Sequence, residues 1–184
     1  MIIIKEVNFS YHKKEILELR KAVWEQNNPH PAKEDLITCF YDEYDEYAFH
    51  WAAFDEKNNI VASARLSKHN SLDSLSGHKL NDDADVANID FPIASLSRLV
   101  IHKSFHGRGL CERLDKERIV KAEQLKCNSV CIITYGQRTK KIMDDGFEAF
   151  HSSILTNVFK TEIENKRFLP LAFYYKGITS IETI

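Results

Sequence analysis

The residues with the clearest chemical capacity lie in one short run, His106-Gly107-Arg108-Gly109-Leu110-Cys111. Glycines at 107 and 109 let successive backbone N–H groups turn toward one point, and the helix pattern that follows adds a positive N-terminal end. Arg108 adds a full charge. Such a turn suits a phosphate or pyrophosphate, although short Gly-x-Gly turns also serve simply to pack a helix against a strand. The third glycine of the dinucleotide fingerprint G-x-G-x-x-G would fall at Glu112, and no Gly-Lys-Ser/Thr follows as in a P-loop, so both of those motifs are excluded. The chain has only six glycines in 184 residues, about half the usual share of roughly 7%. Each therefore meets a steric need, and four of them (Gly107, Gly109, Gly136, Gly146) fall close together.

Residues 94–102 read as a strand leading into the glycine turn. A helix then runs to about Lys126, with Cys111, Leu114, Ala122 and Leu125 on one face and the i,i+4 pairs Glu112/Lys116 and Glu117/Lys121 on the other. Residues 129–135 form a near-continuous apolar strand, as expected where a strand is buried on both faces beside parallel neighbours. A short helix over 137–144 is closed by Gly146. Upstream, residues 1–9 suggest a first strand, and Ile16, Leu19 and Val23, with Leu17 and Trp24, mark a helix over 11–26. The segment Asn27-Asn28-Pro29-His30-Pro31 breaks it, and a second short helix is expected over 33–41. Runs at 47–54 and 60–67 around Asp55-Glu56-Lys57-Asn58-Asn59 predict a hairpin. Residues 68–92 are rich in Ser, Asn and Asp, with Leu72, Leu75 and Leu80 spaced along them; so long a loop is functional or contains a short helix. Two more strands are expected at 154–161 and 171–176. With no repeats and no linker, residues 1–184 read as one mixed α/β domain.

Composition narrows the setting. With 25 basic and 27 acidic residues the net charge is −2, which gives no basic excess for a nucleic-acid partner. No apolar run reaches about eighteen residues, and Lys5 and Glu6 follow the opening Met1-Ile2-Ile3-Ile4 at once. Neither a membrane span nor a signal peptide is expected, and a cytoplasmic protein is. Cys39, Cys111, Cys127 and Cys131 lack metal-type spacing. They read as reduced core thiols, with no metal site.

The stretch from Ser97 to Leu114 resembles the acyl-CoA-binding core of the GNAT N-acetyltransferase superfamily. That family's loop pattern is Arg/Gln-x-x-Gly-x-Gly/Ala. Here Gly109 matches the central glycine, while His106 stands for the Arg/Gln and Cys111 for the final Gly/Ala. Downstream, Gln137 and Asp145-Gly146-Phe147 match the family's Asn-(helix)-Gly-Phe segment. The resemblance covers residues 94–150 and implies a GNAT-like fold, a central twisted mixed sheet flanked by helices. It further implies acetyl-CoA or another acyl-CoA as co-substrate. The backbone of Leu99, Val100 and Ile101 would pair with the pantetheine arm, and residues His106, Gly107, Arg108, Gly109, Leu110 and Cys111, with Gln137, would complete the cofactor site. The sheet would splay beside them to admit the thioester. In such enzymes a primary amine of a small molecule or peptide attacks the thioester directly, so the protein supplies alignment, carbonyl polarisation and a proton route. Homodimers are compatible with this fold.

The tyrosine that often protonates the departing thiolate in this family would fall at Ile142. Tyr135, Thr134 or water would have to replace it. The candidates for proton transfer are Ser97, Tyr135 and His50, with His50 leaning to a structural role.

Arg20 and its neighbours in 19–26, the acidic run Asp42-Glu43-Tyr44-Asp45-Glu46, Ala64-Arg65-Leu66 and Ser97-Arg98 are similar to a branch containing the ElaA-like acetyltransferases and the acyl-homoserine-lactone and N-acyl amino acid synthases. In the synthases, arginines on the central strands and an acidic cluster shape the acceptor and acyl pockets. By that likeness Arg65 and Arg98 hold a substrate carboxylate or order the acidic segment. The long 68–92 insertion also suits the branch; Ser95, where it has a glutamate, does not. Beside acetyl transfer, two alternatives stay open. One is transfer from a longer acyl-CoA or an acyl-carrier protein to an amino acid-like acceptor; the other is a non-catalytic CoA-binding regulatory module.

Overall fold

The computed structural model describes residues 1–27, 40–71, 74–75, 90–134, 138–149 and 172–178. The helix expected at 33–41, the strand at 154–161 and most of the 68–92 insertion fall largely or wholly outside them, as do Cys39, Tyr135, Gly136 and Gln137. The chain divides into two compact units, 1–67 with 96–120 and 68–95 with 121–184.

In the first unit, β1 (Ile3–Val7) pairs antiparallel with β2 (Phe49–Phe54), and β2 with β3 (Ile60–His69). The β2–β3 turn is organised by Asp55, whose Oδ1 accepts from the Lys57 and Asn59 amides at 2.9 and 2.8 Å while Asn58 takes the left-handed conformation, φ 63°. Helix α1 (Phe9–Asn27) starts two residues earlier than periodicity suggested. Its start is set by Asn8, whose Oδ1 accepts from the Ser10 amide at 2.9 Å. Ile16 and Leu19 of α1 are buried, as are Ala52 and Ala53 of β2 and Ala62, Ala64 and Leu66 of β3.

The strand β4 (Ile93–Ile101) runs through the boundary between the units. In the first unit its residue Arg98 has φ 52°, a left-handed conformation that a side-chain-bearing residue seldom holds without support. A 3-10 turn (Lys103–Phe105) and the glycine turn follow, and then α2 (Leu110–Gln124). The apolar face expected on α2 needs correction: Cys111 is only half-buried, as is Leu125, which lies past the helix end. Leu114 and Ala122 are fully buried as expected, but so is Arg118 midway between them. An i,i+4,i+8 row that looks interrupted in the sequence is continuous, because the guanidinium finds acceptors inside the unit.

In the second unit the start of β4 runs parallel to β5 (Ser129–Thr134) over Ile93–Ser95 and Ser129–Cys131. β5 also pairs antiparallel with β7 (Ala172–Gly177), and β7 with β6 (Glu148–Ala149). Val130, Cys131 and Ile132 are buried, as the apolar run required. Burial pushes the Cys131 thiol up to about 12, so it stays a protonated core group. α3 (Arg138–Asp144) ends at Gly146, φ 85°, where the Phe147 amide returns to the Ile142 carbonyl at 3.1 Å. Ile142 and Phe147 are both buried. The position where the family has a tyrosine is here a core side chain. The fold is thus the mixed sheet with flanking helices that the sequence led us to expect.

Candidate functional site

The glycine turn has the expected form. Gly107 and Gly109 sit at φ 73° and 69°, and a Cβ on either would meet nothing within 4 Å. Glycine is needed there for the backbone conformation, and open space surrounds both positions. His106 Nε2 donates to the Ile101 carbonyl at 2.9 Å, tying the turn back to β4. The Arg108 guanidinium lies 4.9 Å from the Phe105 ring and is exposed. Helix geometry leaves the first-turn N–H groups of α2 without intrahelical acceptors. Leu110 is buried and anchors the helix start, while Cys111 is half-buried with its thiol directed at Asp115, 3.7 Å away. Leu99, Val100 and Ile101 are half-buried on β4. The turn and this strand segment are suited to a pyrophosphate and an extended amide-containing arm.

The second constellation is a buried ionic cluster in the same unit. It begins with local chemistry, for Asp42 caps the 3-10 turn Glu43–Glu46. Its Oδ1 accepts from the Tyr44 amide at 3.0 Å, and its own amide donates to Asp45 Oδ2 at 3.1 Å. Two carboxylates are thereby held side by side. Arg65 of β3 grips Asp42 with both terminal nitrogens, reaches Asp45 Oδ1 at 3.1 Å and donates through Nε to Ser97 Oγ at 3.0 Å. Arg98 Nη2 meets Asp42 Oδ2 at 2.7 Å, and Arg20 Nη1 meets Asp45 Oδ1 at 2.9 Å and the Phe40 carbonyl at 2.7 Å. Of the charged side chains Arg98 and Asp42 alone keep appreciable exposure, 21% and 24%. Burial works against ionising Asp42, but the hydrogen bonds from Arg65 and Arg98 outweigh it and hold its pKa down to about 2.

Of the sequence candidates, the structure brings Arg65, Arg98 and Ser97 together around Asp42. Of the two roles open to Arg65 and Arg98, both are engaged in ordering the acidic segment, and Arg65 is fully buried. His50 lies on the far side of Asp45. It stacks on Phe9 at 4.4 Å and donates through Nε2 to the Asp45 carbonyl at 3.0 Å, which is a structural placement. Thr134 ends β5 in the second unit. Sequence reasoning missed Arg20 and Asp45 as individual partners and Arg118 altogether. The i,i+4 spacing of Arg118 to Leu114 and Ala122 was the signal available for the last.

His50 makes acid stability testable. Burial, with the Arg20 charge beside it, pulls its imidazole from 6.5 down to about 4. Above pH 6.5 neither folded nor unfolded His50 holds the extra proton. As pH falls from 6.5 toward 4 the unfolded chain takes up a proton that the folded chain refuses, so this contribution to stability drops by about 3 kcal/mol. Asp42 adds a second loss, about 2 kcal/mol, as pH falls from near 4 to near 2. Unfolding followed against pH should show both limbs. In His50→Gln the first limb should shrink relative to the unmodified chain; an unchanged slope between pH 6.5 and 4 would refute the assignment.

A family model described as an acetyltransferase (GNAT) domain matches residues 19–115, more than half of the chain. No curated protein matches it in sequence. Among solved structures it is similar to an acetyltransferase of the GNAT family from Staphylococcus aureus Mu50, with 17% identity and a TM-score of 0.64, covering 97% of this chain and 100% of that one. It is also similar to the PaiA N-acetyltransferase from Thermoplasma acidophilum in complex with coenzyme A, at 10% identity and a TM-score of 0.61, covering 97% and 99%. A third is N-acetylglutamate synthase from Neisseria gonorrhoeae complexed with coenzyme A and N-acetyl-glutamate, at 15% identity and a TM-score of 0.57, covering 97% of this chain and 35% of that one. At these identities the likeness is one of fold. Among the described residues no helix is long and apolar enough to cross a membrane.

Proposed function

The chain belongs to the GNAT acetyltransferase family, and on that premise we propose that it transfers an acyl group, acetyl first, from acyl-CoA to a primary amine of a small molecule or peptide. The observation that carries this reading is the turn with two left-handed glycines between β4 and α2, open on the side where a Cβ would stand. Residues 106–111 would hold the pyrophosphate through backbone N–H groups, with Arg108 adding charge. The backbone of Leu99, Val100 and Ile101 would pair with the pantetheine arm. Bound acyl-CoA supplies an activated thioester carbonyl. The amine nitrogen attacks its carbon, the C–S bond breaks, the thiolate takes up a proton and the amine loses one.

Ser97 is the proposed proton carrier. Its Oγ accepts from Arg65 Nε, which leaves its own proton available to donate. Tyr135 is the second candidate. Asp42 and Arg98, the two partly exposed charged members of the cluster, would meet the acceptor, with Asp42 facing an ammonium and Arg98 a carboxylate. The domain proposed spans residues 1–184.

The same cluster favours a second reading, transfer of a longer acyl chain from CoA or a carrier protein to an amino acid-like acceptor. Arg65 and Arg98 gathered on Asp42 support it, in keeping with the likeness to the synthase branch. Thiol release from acetyl-CoA with a panel of amines and amino acids tests the proposal. Turnover with any of them supports it, whereas CoA binding without thiol release would make the chain a regulatory module. Stronger protection from thermal unfolding by a long-chain acyl donor than by acetyl-CoA would select the second reading.

A further inference from the structure

Arg118 is fully buried on α2, yet no family pattern used above points to it. Its side chain folds back along the helix, donating through Nε to the Leu114 carbonyl at 3.3 Å and pairing through Nη2 with Asp115. Nη1 then leaves the helix and meets two backbone carbonyls, Arg65 at 3.0 Å and Ser97 at 3.2 Å. These are the two residues whose side chains bond each other beside Asp42. The Ser97 carbonyl also immediately precedes Arg98, whose left-handed backbone needs outside support. Support comes from both sides, with Arg118 on the carbonyl before it and Asp42 on its side chain.

We propose that Arg118 is a positioning residue for acyl transfer. Its guanidinium holds the backbone turn at Ser97–Arg98 and thereby sets where Arg98 and the Leu99–Ile101 edge stand relative to the glycine turn that opens its own helix. Leu110 and Arg118 lie about 12 Å apart along α2, at about 1.5 Å per residue, so one rigid helix joins the two halves of the site. A planar fork with five donors holds three carbonyls and a carboxylate at once; an ammonium, with three N–H donors, cannot bond all four. The inference rests on the acyl-CoA reading of the glycine turn.

The test combines amide hydrogen exchange with titration of coenzyme A into the full chain. In Arg118→Lys, exchange at Arg98, Leu99, Val100 and Ile101 should quicken about tenfold while the β1–β2 pairs keep their protection. Affinity for coenzyme A should fall about tenfold. Asp115→Asn, which loosens the guanidinium without removing it, should move both readouts the same way by a smaller factor, and it decides the matter if Arg118→Lys does not fold. Uniformly faster exchange across β1, β2 and β4 would reduce Arg118 to a core residue and overturn the proposal. Local loosening with unchanged coenzyme A affinity would overturn it too. Failure of the unmodified chain to bind coenzyme A would instead sink the acyl-CoA reading, and exchange would still show whether Arg118 holds the turn.

Discussion

Gly109→Val is expected to weaken coenzyme A binding by about a hundredfold, roughly 2.7 kcal/mol, while the rest of the protein keeps its fold. The effect follows from the backbone. At φ 69° an L-residue brings its Cβ against the carbonyl oxygen, at a cost of about 1–2 kcal/mol, and a β-branched side chain adds to it. The chain can relieve that strain by rotating the backbone at 109, where a Cβ would meet nothing within 4 Å, and rotation would redirect the N–H groups proposed to hold the pyrophosphate. Binding is therefore lost more than stability. Gly109→Ala should lie between, about tenfold weaker, because alanine tolerates the left-handed region better than valine. Calorimetric titration with coenzyme A, beside a thermal unfolding scan, measures both. Unchanged affinity in a folded Gly109→Val chain would show that the turn only packs α2 against β4.

This turn is legible in the sequence, because glycine is scarce here and its use is set by local backbone geometry. The hairpin at Asp55 and the end of α3 at Gly146 were readable for the same reason, since each depends on residues within a few positions of one another. The ionic cluster was legible only in outline. The acidic run at 42–46 and arginines at 65 and 98 stood out, but which carboxylate meets which guanidinium depends on the reciprocal cap between Asp42 and Asp45 and on the β2–β3 register. Arg118 was hidden for the opposite reason. A charged residue on a helix reads as solvated, and its burial depends on carbonyl acceptors contributed by residues 53 and 21 positions away. Ile142 shows the converse, because the missing tyrosine was visible in the sequence while the physical reason was not. Its side chain belongs to the core.

Asp45→Ala is expected to destabilise the chain by about 3–5 kcal/mol, the cost typical of stranding a buried charge by removing its partner. Asp45 is fully buried, and Oδ1 is shared by Arg20 and Arg65, both about as deeply buried. Arg65 keeps Asp42 when Asp45 is lost. Arg20 does not fare as well, since its Nε and Nη2 already have no hydrogen-bond partner among the described residues, and only the Phe40 carbonyl would remain. Burial already draws Arg20 down to about 10, and without Asp45 beside it the charged form becomes harder still to keep. Domains of this size have about 5–15 kcal/mol of stability in all, so the variant should unfold at a much lower urea concentration. Uncompensated charge can be told from lost packing by removing both partners. Arg20→Met with Asp45→Leu should recover most of the loss, because apolar groups of similar volume can replace a buried pair at little cost. If the double variant is as unstable as Asp45→Ala alone, the carboxylate matters through its cap on the Asp42 amide, and Asp45→Asn, which retains that acceptor, should then be nearly as stable as the unmodified chain.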